Sequence, residues 1–189
     1  MNRGYRLLTI AALLGAAAGA GADSWMAPTE RDYYSADETY YLHVVPGDGD
    51  TYAHGTLYEA ARREGDDLRV WSAELLNPYA PHKVLVADSG EYVVTFDEWG
   101  RVGYGDNVVV IYGPGGETLW KFALEDLLTE EEIAAVPTTV SSRWWGGAHY
   151  LDEEAGELVL VIGREAEPGA VTAPGRELRI RLSDGEVLP

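Results

Sequence analysis

Apolar and polar positions alternate most clearly between His82 and Trp120, where the chain reads H-K-V-L-V-A-D-S-G-E-Y-V-V-T-F-D-E-W-G-R-V-G-Y-G-D-N-V-V-V-I-Y-G-P-G-G-E-T-L-W. Val84-Leu85-Val86 runs into Asp88-Ser89-Gly90, a polar turn with glycine where a positive φ is easily adopted. Glu91 to Phe96 then alternates with β-branched and aromatic residues, as a half-buried strand does. Asn107 to Tyr112 predicts a further strand, and Gly113-Pro114-Gly115-Gly116 turns it back into Thr118-Leu119-Trp120.

The same pattern recurs on both sides. Tyr33 to Val45 gives strand, turn, strand, and at an offset of 51 Ala36 meets Ala87, Asp37 meets Asp88 and Tyr41 meets Tyr92. A second hairpin, Gly55–Ala60 and Leu68–Trp71, has its counterpart in the hairpin that ends at Trp120, an offset of 49. A weaker third copy starts at Ala155-Gly156-Glu157, offset by 66 from Ser89-Gly90-Glu91, and continues through Glu177–Leu182 to a terminal turn at Ser183–Glu186. The extra length before it holds one short helix near 130–136. Thr129 is its N-cap and Glu132 its N3 residue in a capping box, with Ile133 and Val136 facing inward and Pro137 ending it. The predicted fold class is all-β, with repeat units of about 33–76, 84–128 and 148–188. Two hairpins repeating about every 50 residues, with an aromatic in the last strand, describe a propeller blade. Three such units form an open or partial propeller, or fold back as a β-sandwich.

Composition adds an address. A basic start (Arg3, Arg6), an apolar run from Leu7 to Ala18 and small residues up to Ala22 form a cleavable signal peptide over residues 1–22, which leaves a single β-rich domain over 23–189. The protein is therefore expected to be exported, periplasmic or extracellular, with no transmembrane segment after cleavage. Removing Arg3 and Arg6 from the 14 Lys and Arg leaves 12 against 32 Asp and Glu, a charge that repels nucleic acid. Cysteine is absent, which excludes thiol nucleophiles, Cys-ligated zinc and disulfides.

Phe96 to Tyr112, Val140 to His149 and Trp25 to Asp37 (W-M-A-P-T-E-R-D-Y-Y-S-A-D) resemble a family of uncharacterised secreted bacterial proteins with blade-like repeats. The resemblance spans nearly the whole chain after the signal and implies export and a shared fold, but no activity. Where such relatives have a glycine-containing turn after Ser-Ala-Asp, this chain has Glu38-Thr39.

Candidate chemistry collects in two glycine-rich loops, 97–106 and 141–149. Trp99, Arg101, Tyr104, Asp106, Arg143, Trp144 and Trp145 form a candidate binding set, since indole faces flanked by carboxylate and guanidinium groups stack on a sugar ring and hydrogen-bond its hydroxyls. The competing reading has these tryptophans plugging the sheet ends. Asp97, Glu98 and His149 are the catalytic candidates, although neighbours on a strand point to opposite faces. No cofactor is implied: His43, His54, His82 and His149 have no zinc spacing, and the turns Gly47–Asp50 and Asp152–Glu154 supply calcium-type oxygens without a calcium-loop pattern. Three functions remain: a non-catalytic binding or scaffold domain for a protein or carbohydrate of the cell envelope, a carboxylate-dependent hydrolase of envelope polysaccharide or peptide, and a purely structural envelope protein.

Overall fold

The computed structural model describes residues 25–61, 65–163 and 176–188, so the expected signal segment lies outside the described residues. Alternating strands and Gly- or Asp-centred turns make three four-stranded antiparallel meanders. The first sheet holds β1 (Arg31–Tyr34), β2 (Tyr40–Val45), β3 (His54–Glu59) and β4 (Leu68–Glu74). The second holds β5 (Pro81–Val86), β6 (Val93–Glu98), β7 (Val109–Tyr112) and β8 (Thr118–Phe122). After two short helices, the third holds β9 (Tyr150–Asp152), β10 (Glu157–Ile162), β11 (Arg176–Arg181) and β12 (Val187–Leu188). Over the described residues the fold is all-β apart from the two short helices, with three sheets where a sandwich has two.

The second sheet lies between the other two, and its sequence explains why. β7 is buried at every position, as are the first five residues of β6. Val93, Val110 and Tyr112 pack with Leu42, Leu57 and Trp71 of the first sheet. Their neighbours Val94, Phe96, Val109 and Ile111 pack with Leu158, Leu160, Leu178 and Ile180 of the third. A strand covered on both faces has no polar side to alternate with, so it reads as a nearly continuous apolar run.

The repeat is present in the pairing, with one correction to its register. Tyr34 pairs with Tyr41, Val86 with Val93 and Leu151 with Leu158, each spanning seven residues, so equivalent positions are offset by 52 and then 65, not 51 and 66. The Ser-Ala-Asp and Ala-Asp-Ser strings align by identity one residue out of step with the strands they join. The hydrogen bonds show the same offset: Ser35 N donates to Tyr40 O as Ala87 N does to Tyr92 O. Glu38, at φ 59°, therefore stands where the second sheet has Gly90 at φ 69°. A left-handed residue is needed at this point of the turn, and glutamate adopts it at a cost of about 1–2 kcal/mol.

Two further devices recur between successive sheets. β4 and β8 carry bulges, at Val70 opposite Leu57/Tyr58 and at Leu119 opposite Ile111/Tyr112, and present Trp71 and Trp120 beside them. Each indole lies on a glycine in the last turn of the next sheet: a Cβ on Gly116 would meet Trp71 Cε3 at 2.8 Å, and one on Gly185 would meet Trp120 Cδ2 at 2.5 Å. At the same end of the sheets, Asp37 N donates to the Asp88 carboxylate (2.9 Å) and Asp88 N to that of Glu153 (2.6 Å), linking the first turns of all three sheets.

The expected helix is α2 (Glu130–Ala135), and its capping box forms: Thr129 Oγ1 accepts from Glu132 N at 3.2 Å, and Thr129 N donates to Glu132 Oε2 at 2.8 Å. The expectation of one helix is corrected by a preceding single turn, α1 (Leu124–Leu127), too short to show a period. It buries Leu124 and Leu127, and the carboxylate of Asp126 accepts from Ala123 N.

Candidate functional site

The second strand of the middle sheet ends in a conformation that sets the site. Asp97 is 4% exposed yet has φ 53°, a left-handed backbone that Asp tolerates better than most residues. Strict alternation would send Phe96 and Asp97 to opposite faces. The left-handed residue breaks the alternation, and both line one cavity of about 680 Å³. The Asp97 carboxylate accepts from Gly103 N (2.6 Å) and from the indole Nε1 of Trp145 (3.2 Å). Burial raises its pKa to about 7 against the lowering effect of those two donors.

Trp145 joins the second loop to the first, and other bonds repeat the join. Arg143 N donates to Val102 O at 2.8 Å, and the Arg143 guanidinium lies 4.4 Å over the ring of Tyr104 while pairing with Glu125 at 3.2 Å. Gly103 has φ 73°, and a Cβ there would stand 2.7 Å from Arg143 O, so only glycine lets the loops approach this closely.

His149 closes the back of the cavity. Its ring is stacked between Phe96 (4.9 Å) and Trp145 (4.6 Å), and its Nδ1 accepts from Val161 N at 3.1 Å. The proton of the neutral ring is therefore on Nε2. Burial first, and the charge of Lys83 second, depress its pKa to about 3. Lys83 crosses the floor from β5 and donates to Gly147 O (2.6 Å) and His149 O (3.2 Å). At the rim, Trp144 stacks on Trp25 (6.3 Å, 8° between planes), and Trp25 meets Trp99 (5.3 Å) and His82 (5.6 Å) edge-on. Trp25 Nε1 donates to Ser141 Oγ and Trp99 Nε1 to Met26 O, so the lead-in segment before β1 is tied across both loops. Thr138 and Thr139 add hydroxyls to the lining.

The candidates of the sequence thus divide. Asp97, Trp144 and His149 line the cavity. Trp99 belongs to the rim cluster, and Arg143 and Tyr104 clamp the two loops. Trp145 is 1% exposed, which corrects its placement among ligand-facing residues: its indole is consumed by Asp97 and His149. Asp97 and Glu98 are not brought together. Glu98 Oε1 accepts from Tyr79 N (2.9 Å) and Ala80 N (3.3 Å) and lines a second, smaller cavity with Arg101 and Tyr104, away from Asp97. Asp106 is exposed and lines neither cavity. The turn carboxylates of Asp48 and Asp152 accept from their own turns, Asp48 from Thr51 N and Asp152 from Ala155 N, with Arg179 a further partner of Asp152.

Sequence reasoning did not place His82, Lys83, Phe96, Thr138 or Thr139 in a site. One signal was available for Lys83, one of only two lysines in the chain and set directly before the apolar run Val84-Leu85-Val86. Comparison with protein-family models, curated proteins and solved structures finds no match, so geometry alone carries the functional argument.

Proposed function

We propose that this chain is an exported, non-catalytic binding domain, a fan of three propeller-like blades, and that the cavity behind Trp144 takes a neutral glycan of the cell envelope. The observation that carries the reading is the lining itself. An indole and an imidazole at the mouth suit the apolar face of a sugar ring, while the hydroxyl oxygens of Thr138 and Thr139, whose hydrogens go to Val136 O and Ser142 O, and the Asp97 carboxylate offer acceptors for its hydroxyls. Asp97 is the single carboxylate among the lining residues. Glycoside hydrolysis needs two carboxyl groups about 5–9.5 Å apart across the scissile bond. His149 does not replace the second, because its basic lone pair is already given to Val161 N. The blade reading is supported by the tryptophan-on-glycine contacts and linked turns that join each sheet to the next.

The test is a titration of residues 23–189 with neutral oligosaccharides, followed by tryptophan emission and thermal melting. A ligand at about 100 times its Kd stabilises the fold by about 2.7 kcal/mol. Saturable binding that is lost in Trp144→Ala supports the reading. Binding that survives this substitution unchanged, or no saturable response to any oligosaccharide, refutes it.

A further inference from the structure

The back wall of the large cavity holds a donor that nothing in the fold uses. His149 is 6% exposed, and both faces of its ring are covered, one by Phe96 and the other by Trp145. Its Nδ1 edge is taken by Val161 N, which fixes the proton on Nε2. Nε2 has no hydrogen-bond partner among the described residues. It is not sealed inside the protein either, as His82 Nδ1 and Thr95 Oγ1 are, so its N–H opens on the cavity that His149 lines. No side chain stands before it: a Cβ on Gly146 would lie 3.2 Å from Nε2, and glycine leaves that space clear. A positive centre adjoins the donor. Lys83 Nζ bonds to Gly147 O and His149 O and lies 5.9 Å over the Phe96 ring, at the same wall. This wall presents a hydrogen and a positive charge, whereas Thr138, Thr139 and Asp97 present acceptors.

Resting on the glycan-binding reading, we infer from this N–H that the ligand carries an N-acetylated amino sugar, whose acetamido carbonyl oxygen accepts from His149 Nε2. An amide carbonyl has lone pairs and no hydrogen, so it matches a wall that gives hydrogen and positive charge. A ring hydroxyl accepts less well placed there, because its own hydrogen must also find an acceptor. The acetyl methyl suits the apolar part of the lining, Phe96, Val102 and Trp144. A free amino sugar has the opposite fit: its ammonium group brings only hydrogens, and a charge of the same sign as Lys83. A carboxylate accepts too, but it would share one indole with Asp97. Trp145 stacks on His149 and donates to the Asp97 carboxyl group, whose ionisation burial already resists.

The experiment titrates residues 23–189 with tri-N-acetylchitotriose, cellotriose and chitotriose, which share one glucose backbone and differ in carrying acetamido, hydroxyl or ammonium groups. Trigalacturonate supplies the carboxylate. The titrations run at about pH 5.5, where amino sugars are cationic, Asp97 holds its proton and His149 is neutral, in salt that screens the acidic surface. The N-acetylated trimer should bind about ten-fold more tightly than cellotriose, the worth of one hydrogen bond, and chitotriose should not saturate. With isotope-labelled histidine, the Nε2–H resonance of His149 should shift with the N-acetylated trimer, a readout that needs no variant. His149→Phe keeps a stacked ring without the N–H, and once melting shows it folded it should bind the N-acetylated trimer no better than cellotriose. Cellotriose bound as tightly by the native chain, or an unmoved Nε2–H signal at saturation, overturns the inference and leaves glycan binding standing. Preference for trigalacturonate overturns it in favour of a carboxylate, and a ten-fold preference that survives in folded His149→Phe removes His149 from the contact. No saturable response to any of the four overturns it as well, and the wider oligosaccharide panel then decides the glycan reading.

Discussion

Asp97→Asn should stabilise this protein increasingly as pH rises. The carboxyl group is buried at the end of β6 and titrates near 7 in the fold, against an ordinary 3.8. Between those values the folded chain holds a proton that the unfolded chain has released, so wild-type stability falls as pH rises and levels off above about 7. At about 1.4 kcal/mol per pH unit, the full displacement amounts to about 4 kcal/mol. Asparagine has nearly the same shape, keeps Oδ1 as acceptor for Gly103 N and does not titrate. The variant should therefore match the wild type near pH 4 and exceed it by up to about 4 kcal/mol at pH 8. Urea unfolding followed by tryptophan emission at pH 4, 5, 6, 7 and 8 measures the difference, from which the titration of every other group cancels. A difference independent of pH would refute the reasoning, as would a loss that grows with pH. Either result would mean that the donors Gly103 N and Trp145 Nε1 hold the carboxylate ionised throughout.

Adjacent groups give further outcomes. His149 has the opposite sign: its folded pKa, about 3, lies below the ordinary 6.5, so stability is full above pH 6.5 and drains as pH falls towards 3. His149→Gln should lose the stacking on Phe96 and Trp145, about 0.5–1.5 kcal/mol for each contact, yet close that gap on acidification, as urea midpoints at pH 7.5 and 5 would reveal. Trp145→Ala should cost about 3–5 kcal/mol as a buried plug, whereas Trp144→Ala should fold with a smaller loss and report only in ligand titrations. Equal destabilisation by the two would contradict the distinction between core and rim. Gly103→Ala places a methyl group 2.7 Å from Arg143 O on a left-handed backbone, and a drop in melting temperature beyond the roughly 1–2 kcal/mol of backbone strain alone is expected.

Local chemistry made much of this protein legible before any tertiary contact. Strand alternation, the Gly, Asp and Pro turns, and the Thr129–Glu132 capping box depend on residues a few positions apart, and they alone fix an all-β chain of repeated hairpins with a short helix after residue 129. The paired tryptophans Trp71 and Trp120 likewise marked equivalent strands. The register of the repeat was not fixed in this way. Turn strings rich in Ser, Ala and Asp match equally well one residue out of step, and the closing pairs Tyr34–Tyr41 and Val86–Val93 decide it.

The site depended still more on the fold. The two aromatic loops were conspicuous, but which of their side chains face a ligand follows from contacts over dozens of residues: Trp145 spends its indole on Asp97, 48 positions away. Phe96 and Asp97 are adjacent in sequence and share one cavity because a left-handed residue breaks the strand's alternation, while Glu98 lines another. Lys83, His82 and the two threonines join the site only because the third sheet and its preceding loop pack against the second. Sequence sets the period and the turns, since those are near-neighbour effects. Burial, and with it the raised pKa of Asp97 and the depressed pKa of His149, belongs to the packing of sheet on sheet.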